Sequence, residues 1–211
     1  MNLELSADEV LVTTRAVRKR LDLTRPVERE ALLECVELAV QAPSGSNTQR
    51  WHWVFVADAE KKAALAELYR RVFSVTYTPA ALGQLDAAGA RVHQSAQYLA
   101  DHLHEVPVIL VPCQWTRPTA EGANQAGYWG SILPAVWSFM LAARNRGLGT
   151  AWTTMHLAYE QEAAELLGIP YERCAQVGLF PVAYTIGTDF RPAHRKDLDG
   201  IVHWDTWPAA R

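Results

Sequence analysis

Four short segments hold the side chains best suited to chemistry: residues 13–22 (TTRAVRKRLD), 43–51 (PSGSNTQRW), 147–154 (GLGTAWTT) and 189–197 (DFRPAHRKD). The first and last are rich in arginine, whose planar fork matches two oxygens of a phosphate at once. A phosphate monoester carries close to two negative charges near neutral pH. Arg15 and Arg18 can both turn to such a ligand if the backbone between them is extended or bent. Ser, Gly and Asn in the second segment supply turns and exposed amides that reach a polar ring edge. Together the segments suit one phosphorylated flat cofactor. Each alone equally suits a plainer duty: a solvated basic face, a helix-to-strand turn, or a charged surface loop.

The third segment invites comparison with a dinucleotide-binding glycine loop, which must follow a strand and open a helix. Here the glycines follow a long helical pattern and precede a strand-like run, so that reading fails on context. Gly147 instead suits a helix C-cap. The seven histidines show neither HExxH nor Cys/His metal spacing, so no metal site is expected. No G-x-S-x-G elbow or P-loop occurs.

Periodicity gives the elements that must position these segments. Ser6 opens a short helix with acids in its first turn, ending before Arg15. Thr24 and Pro26 open a second, with Val27, Leu32, Leu33, Val36, Ala39 and Val40 on one apolar face, stopped by Pro43 and Gly45. Residues 52–57 (HWVFVA) read as a strand. Helices are expected over 59–77 and 86–103. The run PVILVP at 107–112 reads as a strand covered on both faces. A long apolar helix is expected over 126–146, kinked or begun by Pro134. A strand at 150–154, a helix at 160–167 closed by Gly168, and a strand at 177–186 complete the set. Pro181 predicts an edge or a bulge in that last strand. Strands and helices mix without a βαβ repeat, which points to one α+β domain over 1–211, a central sheet flanked by helices.

The order and context of the four segments resemble the nitroreductase family of FMN-dependent oxidoreductases over nearly the whole chain. Arg15-Ala16-Val17-Arg18 is similar to the family's R-S-x-R run, with Ala16 where a hydroxyl is usual and Thr14 where an arginine often precedes. Pro43, Ser44, Asn47, Gln49 and Trp51 match P-S-x-x-N-x-Q-P-W, with Arg50 in place of proline. GLGTAW matches the family's G-L-G-x-x-W turn. The resemblance implies that Arg15, Ala16 and Arg18 meet the FMN phosphate and pyrimidine edge. It implies that Pro43 and Ser44 lie along the flavin, that Asn47 fixes their loop, that Thr154 and Met155 line the ring, and that Arg195 returns to the phosphate.

The same resemblance implies a mixed, mainly antiparallel sheet and a homodimer, and the apolar Trp204 and Trp207 on the tail from about residue 187 suggest that it wraps something, a second subunit being one candidate. FMN is the implied cofactor and NAD(P)H the co-substrate, with electrons passed to a nitroaromatic, quinone or related small acceptor in a ping-pong cycle. No side chain need act as a covalent or acid–base catalyst. The family also includes reductive dehalogenases and flavin-consuming enzymes, and a flavin-binding regulatory protein without turnover is the alternative from another class. Residues 76–90 and 115–124 are the candidate lids.

Composition narrows the partners. Of 211 residues, 49% are hydrophobic and 20% charged, as in soluble globular chains. Lys and Arg total 20 against 23 Asp and Glu, a net charge of -3 that offers no global pull toward nucleic acid or anionic membrane. Cys35, Cys113 and Cys174 sit in separate apolar runs and read as reduced, buried thiols. The start, MNLELSADEV, lacks the layout of a signal peptide, and no apolar run approaches the roughly 20 residues that span a bilayer. A cytoplasmic protein is expected.

Overall fold

The computed structural model describes residues 2–118 and 124–207. Helix α1 (Ala7–Thr13) begins at a reciprocal cap: the Glu9 amide donates to Ser6 Oγ at 3.3 Å, and the Ser6 amide to Glu9 Oε2 at 2.8 Å. Helix α2 (Arg29–Ala39) starts later than Thr24 and Pro26 suggested. Asp22 Oδ1 accepts the Thr24 and Arg25 amides and the Thr24 hydroxyl, which holds that stretch in a turn. Strand β1 (Trp51–Val56) and helix α3 (Ala59–Thr76) follow as expected. A short helix, α4 (Pro79–Leu82), was not anticipated; the Thr78 cap and Pro79 start it. Helix α5 (Ala87–His102) is capped by Asp86, and strand β2 (Val108–Trp115) runs three residues past its predicted end.

The single helix expected over 126–146 is two, α6 (Gln125–Gly130) and α7 (Leu133–Asn145). At the break, the Ser131 hydroxyl donates back to Gly127 O at 2.7 Å. Pro134 sits in the first turn of α7, where its missing N–H costs nothing. Strand β3 (Leu148–Thr150) comes earlier than 150–154, and Thr153 makes an isolated bridge to Leu179. Helix α8 (Glu160–Leu167) ends at Gly168 with φ +69°. The strand expected over 177–186 is β5 (Phe180–Tyr184), and a further short strand just before it, β4 (Cys174–Gln176), was not anticipated.

The named strands pair antiparallel in the order β1-β2-β5-β3, and β4 pairs with the far half of β2. Pro181 therefore marks neither an edge nor a bulge. It stands in regular register opposite Ile109 of β2, while pairing with β3 begins one residue later at Val182. Its missing donor falls beyond the β3 ladder.

Strand β2 explains the two-sided architecture. Ile109, Val111 and Cys113 point into one core with Leu65, Tyr69 and Leu99 from α3 and α5. Val108 and Leu110 point into the other, with Cys35 of α2 and Val136, Phe139 and Ala143 of α7. A strand with two covered faces needs apolar residues throughout, as the unbroken run indicated. All three cysteines are buried and free, and burial pushes the Cys35 thiol up to about 11 and Cys113 to about 12, so neither is a ready nucleophile. Among the described residues, no helix is long and apolar enough to cross a membrane.

Candidate functional site

The basic strip is made by a change of backbone at the end of α1. The Thr13 and Thr14 hydroxyls donate to the carbonyls of Glu9 and Val10 at 2.6 and 2.7 Å, closing the last turn. Thr14 then turns extended (φ -67°, ψ 126°), and the chain runs beside β3. Ala16 bridges Thr150 in parallel, and the Val17 amide donates to Thr150 O at 2.8 Å. Val17 and Leu21 point into the core, Ala16 stays exposed, and Arg15 and Arg18 are half-buried. Gly149 permits this close approach: a Cβ there would meet Val17 Cβ and Leu21 Cδ2 at 3.0 Å and Thr185 Cγ2 at 2.8 Å.

The C-terminal segment comes back to the same strip. Arg15 Nη1 donates to Arg191 O at 3.0 Å, and Arg20 Nη2 to Asp189 Oδ1 at 2.6 Å. The Arg20 guanidinium lies 4.3 Å from the centre of the Phe190 ring, and that of Arg144 lies 5.0 Å from the same ring. Arg195 is exposed, with Nη1 donating to His194 O at 3.1 Å. A cavity of about 170 Å³ opens here, lined by Ala16, Arg18, Lys19, Arg20, Ser95 and Phe190 among others. Arg18 Nε is buried without a hydrogen-bond partner. Its charge is felt by Tyr69, whose hydroxyl burial raises and Arg18 partly lowers. An orphaned donor beside an open slot, ringed by cations, fits a phosphorylated planar group.

Thr154 and Met155 begin the turn after β3. Thr154 is exposed, Met155 half-buried, and His156 fully buried. His156 Nε2 lies 3.1 Å from Gln176 Oε1, an acceptor only, so Nε2 carries the proton and Nδ1 is a bare, unpartnered lone pair. Burial lowers the His156 pKa to about 4, and the bond to Gln176 opposes this only in part. Gln176 in turn donates through its amide nitrogen to Glu160 O at 2.8 Å, and Glu160 pairs with Arg117 at 2.8 Å.

Residues 43–47 sit elsewhere. The Gly45 amide donates to Ser131 Oγ at 2.9 Å, Gln49 N to Ser44 Oγ at 3.2 Å, and Gln49 Nε2 to Asn47 Oδ1 at 2.8 Å. Ser46, Asn47 and Gln49 have φ of 52°, 51° and 49°, a left-handed backbone that is costly outside glycine and concentrates at functional loops. Pro43 is exposed and Ser44 half-buried. This loop feeds β1 at one edge of the sheet, whereas Arg15–Arg18 borders β3 at the other. Three strand spacings separate β1 from β3, and the strip beside β3 adds a fourth, about 19 Å in all. A cavity of about 650 Å³ between α2 and β1 is mainly apolar and is lined by none of the nine expected site residues.

Within one chain, Arg15, Ala16 and Arg18 are thus brought to the 189–191 loop, while Pro43, Ser44 and Asn47 lie in a separate loop ahead of β1. Of the candidate lids, 76–90 contains α4; in the other, residues 119–123 lie outside the described residues. Sequence reasoning missed Arg144 and Phe190. The signal for Arg144 was a cation within α7, directly after the apolar run LPAVWSFMLAA.

A family model described as the Nitroreductase family matches residues 11–184. The putative NAD(P)H nitroreductase YodC of Bacillus subtilis is 26% identical over 205 residues, covering 93% of this chain and 96% of that protein. Iodotyrosine deiodinase 1 of Rattus norvegicus is 27% identical over 198 residues, covering 92% of this chain and 67% of that protein. Among solved structures, the FMN- and NADPH-dependent nitroreductase NfnB from Sphigopyxis sp. strain HMH superposes with a TM-score of 0.70 at 22% identity, covering 96% of this chain and all (100%) of that one.

Proposed function

The chain belongs to the nitroreductase family, and from that premise we propose that it is an FMN-dependent oxidoreductase carrying electrons from NAD(P)H to a nitroaromatic, quinone or related small acceptor. The observation that supports it best is the meeting of Arg15 and Arg18 with the 189–191 loop around a slot holding an orphaned donor. The comparisons point the same way: YodC bears the name of an NAD(P)H nitroreductase, and NfnB is described as FMN- and NADPH-dependent. When bound, FMN supplies the hydride chemistry, taking electrons from one substrate and giving them to the next.

In this reading Arg15 and Arg195 hold the phosphate. Arg18 offers its unpartnered Nε to the polar edge of the ring and stabilises negative charge there. Ala16 keeps the approach clear, and Thr154 and Met155 flank the ring on a turn that buried His156 holds in place. Pro43, Ser44 and Asn47 come from a second copy, because their own chain sets them about 19 Å from the strip. The protein is therefore a homodimer, and the tail bearing Trp204 and Trp207, 83% and 84% exposed, has the apolar surface to wrap the partner. NAD(P)H and acceptor use the same pocket in turn.

The deciding experiment is the spectrum and kinetics of the purified protein. A yellow protein should release FMN on acid treatment, at about one per chain, and oxidise NAD(P)H with a quinone. Rate plots at several fixed acceptor concentrations should be parallel. A colourless protein that cannot be reconstituted with FMN refutes the cofactor. Intersecting plots refute the shared pocket. A flavin-loaded protein that turns over no acceptor leaves the binding role alone.

A further inference from the structure

Arg144, in the last turn of α7, is only 6% exposed. Its hydrogen-bond acceptors are neutral: Nε donates to Thr13 Oγ1 at 3.2 Å and Nη2 to Thr188 O at 3.0 Å, while Nη1 has no partner. Burial and, secondarily, the nearby charge of Arg20 both disfavour its protonated form, and no carboxylate opposes them. Buried charges are ordinarily paired, because an isolated ion away from water is costly. Around Phe190, among the described residues, the two adjoining cavities bring together Arg15, Arg18, Lys19, Arg20 and Arg144, five positive charges, against the single carboxylate of Asp189. The excess calls for an anion.

The cavity that Arg144 shares with Thr14, Arg15, Gly149, Thr150 and Phe190 is about 10 Å³, room for no more than about one water. A phosphate cannot enter it, so Arg144 works through its field and through the segments it ties together: the end of α1 and the 188–190 loop. We propose that Arg144 is the buried counter-charge of the phosphate subsite, a positioning residue that gives the site its preference for a phosphorylated ligand over its unphosphorylated counterpart. This rests on the FMN reading and adds to it a residue that does not touch the ligand.

The test uses full-length protein stripped of flavin and titrated with FMN or riboflavin, which differ by the phosphate. Wild type should prefer FMN. Arg144→Met should lose FMN affinity about tenfold or more with riboflavin affinity unchanged, and Arg144→Lys, which keeps the charge, should hold most of the preference. Inorganic phosphate should raise the thermal midpoint of the stripped wild type by more than that of Arg144→Met at the same concentration. Equal losses of FMN and riboflavin, or no loss of either, overturn the proposal. If Arg144→Met does not fold, a folded Arg144→Lys that no longer prefers FMN overturns it equally. A wild type that holds neither flavin removes the FMN reading and this inference with it, a pattern distinct from the others.

Discussion

Replacing Gly149 with alanine tests whether the strip owes its position to a missing side chain. The new Cβ would stand 3.0 Å from Val17 Cβ and Leu21 Cδ2 and 2.8 Å from Thr185 Cγ2. Ordinary carbon contacts lie at about 3.5–4.0 Å, so the strip must retreat by about 0.5–1 Å. Val17 and Leu21 are buried and Gly149 is paired to Ala183, so neither side yields freely. Overpacking of this kind costs about 1–3 kcal/mol, and stretching the 2.8 Å bond from Val17 N to Thr150 O adds about 1 kcal/mol. A total of about 2–4 kcal/mol lowers the melting midpoint of a chain this long by roughly 5–15 °C. Urea titration should show a lower midpoint at unchanged slope, and FMN affinity should fall as Arg15 and Arg18 move. Gly168→Ala is the control: its φ of +69° carries backbone strain but its surroundings are open, so it should cost about 1 kcal/mol and spare FMN. Gly149→Ala within about 0.5 kcal/mol of wild type, with FMN affinity intact, refutes the reasoning.

Three further outcomes are expected. Arg195→Ala should weaken FMN binding by about 1.5–3 kcal/mol, tenfold or more, without moving the melting midpoint of the flavin-free protein; equal affinity assigns Arg195 to a surface loop. Deleting the tail from Val202 onward should lower dimer mass and flavin content at the same protein concentrations in sedimentation, and a flavin-loaded monomer argues against the wrap. His156 is neutral in the fold with a pKa near 4, against about 6.5 in the unfolded chain. Its contribution is therefore whole above pH 6.5 and is lost as pH falls toward 4, about 3 kcal/mol over that window. His156→Gln should flatten the acid limb of a stability–pH curve by that amount, and an unchanged limb places the titration elsewhere.

The sequence was most legible where one local rule acts alone. Ser6 with Glu9, Asp86 before α5 and Gly168 after α8 mark their helix ends by side-chain chemistry that no tertiary contact overrides. The apolar run at 107–112 announced a strand covered on both faces for the same reason. Errors arose where a polar side chain competes with periodicity. Asp22 captures amides that would otherwise begin a helix, and Ser131 bonds back to Gly127 and splits the long apolar stretch in two. Pro181 misled because a missing donor matters only on a side that is paired.

The site followed the same division. Motif spacing singled out the arginines at 15 and 18 and the loop at 43–47 as candidates, but spacing along a chain says nothing of which sheet edge a segment borders. Strand order supplies that, and it sets the two groups on opposite edges. Their separation also bears on the strain: three non-glycine residues are held left-handed at 46–49, and the hydrogen bonds of that loop run to Ser131 and within the loop itself, not to the strip. A loop that carries this strain, with Pro43 facing solvent, suits the proposed role toward a second copy. Arg144 poses the matching imbalance at the other edge, a buried charge without a counter-ion. In the proposed reading, one anionic planar ligand held between two copies would answer both the strain and the unpaired charge, and on that reading the flavin and dimer assays should succeed or fail together.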